Sequence, residues 1–233
     1  MLVRRGVFVR RVEGKVSVAD PVAGYVQQPG EVQQIEHPAG GDTCTSVALP
    51  DEPVARLAWA GPLMISPAAD LAHRRLLARA TAGASPPDLV DLAADLIGAL
   101  LAPPRAASRR EVEEVRAAPR RAVDEVRASL NADPQARLET LAALVGWSTW
   151  HLSRTFRSVT GVTINTYRLR LRVRAVLDEL ADPGAGLAAL AVRAGFADQA
   201  HMTRAVRREL GSSPGRIRRG LANDSGPGRG MIL

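Results

Sequence analysis

Two segments of this chain repeat each other fifty residues apart, and each carries an arginine at the same place. Residues 151–154 read His-Leu-Ser-Arg, and residues 201–204 read His-Met-Thr-Arg. The planar guanidinium groups of Arg154 and Arg204 have forked donors that match a guanine edge or a phosphate group. The chemistry that this pair predicts is hydrogen bonding to nucleic acid.

The residues around each arginine predict a helix, a turn and a second helix. Gly146 and Gly195 can adopt the positive φ that ends a helix, and Ser148 and Asp198 are favourable N-cap residues. One such pattern is also typical of an ordinary corner between two helices, but two copies in register argue against that alternative. We therefore expect a duplicated helix-turn-helix, with recognition helices at about 148–159 and 198–210.

Both recognition helices are predicted to have one apolar and one polar face. The residues expected to point inward are Leu152, Phe156 and Val159 in the first helix, and Met202, Val206 and Leu210 in the second. The residues expected to read base edges are Trp150, Ser153, Arg154, Gln199, Thr203 and Arg204. Those expected to contact phosphates are Arg157, Arg168, Arg172, His201, Arg207 and Arg208.

The two copies are not equivalent. Ala200 is short for a groove residue where the first copy has Trp150, so specificity is expected to be concentrated in the first copy. His151 and His201 each precede an inward-facing residue. For His151 a local role, in capping or phosphate bonding, is favoured over base reading, and His201 is open between the two.

The charge of the chain is unevenly distributed. Residues 101–233 hold 22 Lys/Arg against 13 Asp/Glu, whereas residues 1–100 hold 9 against 11, within a net charge of +7. A basic C-terminal half favours nucleic acid as the partner, with a merely solvated arginine-rich surface as the alternative. The chain has no apolar run near the roughly 20 residues of a membrane span, and its N-terminus lacks the apolar core of a signal peptide. Cytoplasm, with association to the nucleoid, is the predicted location.

Residues 3–49 predict short antiparallel strands in a sheet or small barrel. The β-branched segments lie at 7–9, 16–18, 24–26, 32–35 and 44–47. From Ser66 the pattern changes to two helices, the second starting at Pro86 and carrying an apolar stripe at 89–101. This hairpin either forms a homodimer through 66–101 or only covers the small sheet.

Residues 163–182 alternate like a strand in part, but their length without a helix breaker favours one long helix that links the two copies. The predicted class is α+β: a short β module and a helical hairpin, then an all-α domain of two helix-turn-helix units. The parts are a sensor or dimerisation module at 1–58, the hairpin at 59–104, a linker at 105–119, a DNA-binding domain at 120–221 and a disordered tail at 222–233.

Over roughly 120–220 the sequence resembles the AraC/XylS family of bacterial transcription regulators. The matching motifs are Trp-Ser-x-x-His-Leu-Ser-Arg-x-Phe-Arg from position 147, Tyr-Arg-Leu-Arg-Leu-Arg from 167, Gly-Phe-Ala-Asp-Gln-Ala-His-Met-Thr-Arg from 195, and Ser213-Pro214. The resemblance implies two helix-turn-helix units on a long linker helix that bind promoter DNA. Val206 and Ile217 depart from the Phe and Tyr usual in the family, which implies a smaller core in the second unit.

The N-terminal region is similar, more weakly, to the cupin-like sensor domains of that family. The similarity rests on 5–10, on 18–21 and on a segment from His37 to Thr45. A metal-binding cupin would need a His-x-His pair and further ligands, whereas His37 is the single histidine of the region. No metal site and no cofactor are predicted.

The leading interpretation is a sequence-specific transcription regulator that binds double-stranded promoter DNA and is not an enzyme. Its predicted partners are a small-molecule effector and, for an activator, RNA polymerase. One alternative is a DNA-repair alkyl acceptor with Cys44, the single cysteine, as nucleophile. Another is a protein-interaction module without DNA affinity, against which the intact Arg154 and Arg204 argue.

Overall fold

The computed structural model describes residues 1–37, 40–48, 63–102, 117–180, 182 and 184–224. Over these residues short antiparallel strands precede a helical part, as predicted. The chain groups into two compact units. The first unit comprises Met1–Ile65 and Pro103–Leu171, and the second comprises Ser66–Ala102 and Arg172–Leu233. Within the described ranges, no helix is long and apolar enough to cross a membrane.

The strands all lie in the first unit. They are β1 (Leu2–Arg5), β2 (Phe8–Val12), β3 (Lys15–Ala19), β4 (Ala23–Gly24), β5 (Gln34–Glu36), β6 (Thr43–Thr45) and β7 (Leu63–Met64). They form three small antiparallel sheets, in the orders β1–β6, β3–β2–β5 and β4–β7. The antiparallel pairing agrees with the prediction, and β1 and β7 are additional to it. The cupin-like arrangement stays a prediction, because these sheets are short and separate in the described part of the chain.

The described helices follow the predicted order. They are α1 (Pro67–Thr81), α2 (Pro86–Leu101), α3 (Ala117–Ala132), α4 (Leu138–Leu144), α5 (Thr149–Thr160), α6 (Ile164–Leu180), α7 (Leu187–Arg193), α8 (Gln199–Leu210) and α9 (Pro214–Asp224). The prediction of one long helix, made from the length of the segment without a helix breaker, is confirmed by α6, although part of its sequence alternates like a strand. Helix α9 continues to Asp224, three residues into the segment predicted as a tail, and residues 225–233 lie outside the described ranges. Residues 105–116 of the predicted linker also lie outside them, and 117–119 begin α3.

One apolar cluster of the first unit joins the β module to the helices. Val22, next to β4, is buried together with side chains from α3, α4, α5 and the first part of α6. The helical contributors are Val123, Val126, Leu130, Leu141, Ala142, Leu152, Phe156, Ile164, Tyr167 and Leu171. The β module and the first helix-turn-helix therefore fold around a shared core.

The second unit combines the helical hairpin with the second helix-turn-helix. Helix α1 packs against α8 and α9. Within this unit Arg74 lies between two carboxylates, with Nη1 2.6 Å from Asp178 Oδ1 and Nε 3.3 Å from Asp70 Oδ1. Arg174 Nε lies 3.8 Å from Asp70 Oδ2. These buried ion pairs tie α1 to the second part of α6.

Candidate nucleic-acid interface

Each helix-turn-helix has a turn built around a left-handed glycine. Gly146 has φ 68° and Gly195 has φ 74°. The following residues, Trp147 and Phe196, each donate their backbone N–H over 2.9 Å to a carbonyl five residues back, which is the 6→1 bond of a Schellman motif. A side chain at position 146 would meet open space, so the positive φ alone accounts for the glycine there. The predicted turns are confirmed in both copies.

The N-caps of the recognition helices are those expected from the sequence. Ser148 Oγ accepts the backbone N–H of His151 at 3.2 Å, and Asp198 Oδ1 accepts that of His201 at 2.6 Å. Each cap satisfies a donor that a helix start leaves without a partner. Gly161 and Gly211, at φ 73° and 71°, end α5 and α8. The two helices thus have the same start and end chemistry.

The two histidines pack edge-on against the aromatic residue of the turn. The ring centroids of His151 and Trp147 lie 4.6 Å apart, and those of His201 and Phe196 lie 5.3 Å apart, with interplanar angles of 85° and 88°. This common packing supports a local role for His151. A phosphate contact by His201 stays a prediction.

The predicted apolar faces of α5 and α8 are buried at their centres, whereas Val159 and Leu210, near the C-terminal ends of the helices, are half-buried. Leu152 and Phe156 of α5, and Met202 and Val206 of α8, have no exposed surface. Of the residues expected to read bases, Thr203 is half-buried and the other five are exposed. The exposed candidate phosphate residues are Arg157, Arg207 and Arg208.

Trp150 and Arg154 form a pair on the exposed face of α5. Trp150 keeps 67% of its surface exposed, and the guanidinium carbon of Arg154 lies 5.4 Å from the centroid of its ring. This cation–π contact joins residues one helical turn apart and limits the freedom of the arginine. In α8 the residue that corresponds to Trp150 is Ala200, which has no ring, so Arg204 cannot make the same cation–π contact with it.

Arg168 and Arg172 of α6 already have partners within the protein. Arg168 Nη2 donates to the carbonyl of Ala136, ahead of α4. Arg172 donates from Nε to the carbonyl of Ala194 at 3.2 Å and from Nη2 to that of Gly195, with its guanidinium 4.1 Å from the Phe196 ring. Burial lowers the pKa of both side chains. Each arginine therefore donates hydrogen bonds to backbone carbonyls at a helix-turn-helix, Arg168 ahead of α4 and Arg172 in the turn between α7 and α8. A contact with phosphate would have to use the remaining donors of each guanidinium.

Sequence reasoning missed one buried polar cluster of the first unit, formed by Asp20, Arg127 and Tyr167. The one signal in the sequence is the position of Arg127, four residues after the core residue Val123 on the same face of α3. The partner residue Asp20 follows a strand more than a hundred positions earlier, so no local pattern connects them.

The environment of Cys44 bears on the alkyl-acceptor alternative. Its thiol donates to Asp42 Oδ2 at 2.6 Å, while His37 Nδ1 lies 2.7 Å from Asp42 Oδ1. Burial, and then the hydrogen bond and charge of Asp42, raise the pKa of Cys44 to about 12. Since the thiolate is the nucleophile, this site disfavours attack by Cys44.

Alkylation of Cys44 by iodoacetamide at pH 8 is expected to be much slower in the native protein than in the urea-unfolded chain. A pKa near 12 in place of about 9 lowers the thiolate fraction about a thousandfold. Mass spectrometry over time gives both rates, since the chain has a single cysteine. Asp42→Asn is expected to accelerate the native reaction, and equal native and unfolded rates would contradict this assignment.

Comparison with known proteins gives three results. A family model described as a helix-turn-helix domain matches residues 141–220. A probable transcription factor, PqrA of Proteus vulgaris, is 28% identical over 82 residues, which cover 35% of this chain and 67% of that protein. The C-terminal domain of AraT, a response regulator from Geobacillus stearothermophilus, is 21% identical, with a TM-score of 0.39, and covers 46% of this chain and 88% of that one.

Proposed function

We propose that this protein is a transcription regulator of the AraC/XylS type that binds promoter DNA sequence-specifically. The helix-turn-helix match over residues 141–220 and the similarity to a probable transcription factor support the proposal. One observation carries the proposal. Helices α5 and α8 have the same turn, cap and buried face, and each leaves an exposed polar face with an arginine at the same position. An ordinary helical corner does not require that combination twice.

The proposed contacts follow from exposure and donor geometry. Trp150, Ser153 and Arg154 of α5, and Gln199, Thr203 and Arg204 of α8, would read base edges in two major grooves about 34 Å apart. Bidentate pairing suits Arg154 and Arg204 to guanine and Gln199 to adenine. The phosphate contacts are proposed for Arg157, His201, Arg207 and Arg208, and for Arg168 and Arg172 through the donors that the carbonyls leave free.

The affinity for duplex DNA is expected to fall steeply with salt, because each arginine bound to a phosphate releases counterions. Replacing Arg157 or Arg207 by Gln should lower the slope of log K against log salt by about 1 in each case. Arg172→Gln should change the slope less, because its donors already bind Ala194 and Gly195. Fluorescence anisotropy titrations at several salt concentrations give the slopes. A slope near zero for the wild-type protein would contradict the proposed phosphate contacts.

For the N-terminal region we propose ligand sensing or dimerisation, with a small-molecule effector and, for an activator, RNA polymerase as further partners. The hairpin supports a homodimer through 66–101. Within α2, which the structure describes throughout, Leu96 alone is buried, and the rest of its apolar stripe is partly exposed. An amphipathic helix that leaves its apolar face open is typical of an interface.

Sedimentation velocity is expected to show a mass that rises with concentration. Val90, exposed on α2, can be replaced by Asp without disturbing a packed core, and Val90→Asp should shift the equilibrium towards the monomer. A wild-type protein that is monomeric over the whole concentration range would reject the dimer and leave the DNA-binding proposal unaffected.

A further inference from the structure

The β module delivers one carboxylate into the interior of the first unit. Asp20 follows β3, has no exposed surface, and uses both of its oxygen atoms. Oδ1 accepts the backbone N–H groups of Val22 at 2.7 Å and Ala23 at 2.9 Å. Oδ2 accepts from Arg127 on α3 and from the hydroxyl of Tyr167 on α6. One oxygen therefore fixes the turn of the β module, and the other holds two helices.

The arginine and the tyrosine depend on this carboxylate. The side chain of Arg127 is 7% exposed and donates to Asp20 Oδ2 from Nη2 at 2.6 Å and from Nε at 3.0 Å, while Nη1 donates to Asp124 at 2.7 Å. Tyr167 has no exposed surface, and its hydroxyl also lies 3.3 Å from Arg127 Nε. A buried cation without its counter-charge is strongly unfavourable, so the cluster stabilises the unit only when it is complete.

The same tyrosine touches the recognition helix. Its ring packs edge-on against Phe156 of α5, with the centroids 5.3 Å apart and an interplanar angle of 83°. Phe156 is fully buried, follows Arg154 by two positions and precedes Arg157. Asp20 therefore fixes the orientation of the Tyr167 ring through the hydroxyl group. The ring in turn contacts Phe156 on α5, the helix that carries the base-reading residues.

We propose that Asp20 is a positioning residue of the first helix-turn-helix, acting on α5 through Tyr167 and Phe156. The inference rests on the proposed function and deepens it, because it assigns the strands to DNA recognition by α5. The β module is then an integral part of the first DNA-binding unit, and its carboxylate sets how Arg154 and Trp150 are presented to the groove.

Two substitutions separate positioning from simple stabilisation. Asp20→Asn keeps an oxygen for the N–H groups of Val22 and Ala23, but it turns an amide donor towards Arg127 and Tyr167. Tyr167→Phe keeps the ring contact with Phe156 and removes only the hydroxyl. The matched control is Asp70→Asn, which removes a buried carboxylate that pairs with Arg74 in the second unit.

The test measures discrimination at each half of a DNA site separately. Duplexes are first selected from a randomised pool with the full-length wild-type protein, and each half is then scrambled in turn. The half read by α5 is the one at which Arg154→Ala loses discrimination. For Asp20→Asn we expect the wild-type preference for the intact α5 half to fall about tenfold, equivalent to about 1.4 kcal/mol, with the other half unchanged. Asp70→Asn should leave the α5 half unchanged, and Tyr167→Phe should follow Asp20→Asn.

The outcomes are distinct. If Asp20→Asn and Tyr167→Phe weaken binding to all duplexes equally and keep the preference at the α5 half, the cluster only stabilises the fold and the proposal is overturned. If circular dichroism shows that Asp20→Asn does not fold, the test rests on Tyr167→Phe, through the same ratio of affinities for the intact and the scrambled α5 half. A wild-type protein that selects no sequence contradicts the proposed function itself, and this inference falls with it.

Discussion

Arg154→Ala is expected to cost about 1–3 kcal/mol of binding free energy on the selected site and to relax the sequence preference at one half of it. Arg154 is exposed on α5, and Trp150 restrains its guanidinium from one side. A restrained forked donor loses little entropy when it pairs with guanine, so its removal should affect one base position far more than the overall affinity.

The second copy provides the control. Arg204→Ala removes the same side chain at the same position of α8, and it should relax the preference in the other half of the site. Competition titrations at fixed salt against duplexes with single base changes separate the two effects. Equal weakening on every sequence would assign both arginines to phosphates, and equal losses in both halves would contradict the expected dominance of the first copy.

Arg127→Met is expected to lower the free energy of unfolding by about 3–5 kcal/mol, because it leaves the carboxylate of Asp20 buried without its cation. The methionine fills much of the space of the arginine stem, so the loss reports the charge more than the volume. Asp20 then keeps only the hydroxyl of Tyr167 and two backbone N–H groups as partners.

The matched control is on the same helix. Arg121 has a side chain that is 81% exposed and pairs with Glu125 at 3.5 Å. Exposed ion pairs contribute less than about 1 kcal/mol, so Arg121→Met should be nearly neutral. Urea unfolding followed by circular dichroism compares both variants with the wild-type protein. An Arg127→Met variant as stable as Arg121→Met would show that the Asp20 cluster contributes no net stability.

The parts of the fold that the sequence predicts are those with local causes. A helix must end where Gly146 or Gly195 takes a left-handed φ, and it must begin where Ser148 or Asp198 caps it, so the two turns follow from single residues. The inward faces of α5 and α8 follow from helical periodicity in the same way. The family resemblance predicts that these turns belong to helix-turn-helix units, and the match of a helix-turn-helix family model over 141–220 agrees with that prediction.

The parts that the sequence does not predict depend on partners far apart in the chain. Nothing near Asp20 indicates that it accepts from Arg127, 107 positions later, and from Tyr167. The partners of Arg172 are likewise not indicated by the sequence around it. Its charge and position predict a phosphate contact, whereas the donors of its guanidinium already bind carbonyl groups at the α7–α8 turn. Which donors remain for a ligand depends on tertiary packing.

The grouping of the N-terminal elements is also non-local. Predicted boundaries follow chain order, with the strands and the hairpin ahead of both helix-turn-helix copies. The structure groups the strands with the first copy and the hairpin with the second. A shared core around Val22 in the first unit and the ion pairs of Arg74 in the second are the physical reasons.

The most direct test of sequence-specific binding by two reading helices is selection from a pool of randomised duplexes with the full-length protein, followed by sequencing. The expected consensus has two blocks whose centres lie about 10–10.5 base pairs apart, one helical turn of DNA. Arg154→Ala should remove the preference at a position within one block, and Arg204→Ala should do so within the other. A single block that neither substitution affects, or no enrichment over the starting pool, would contradict the account.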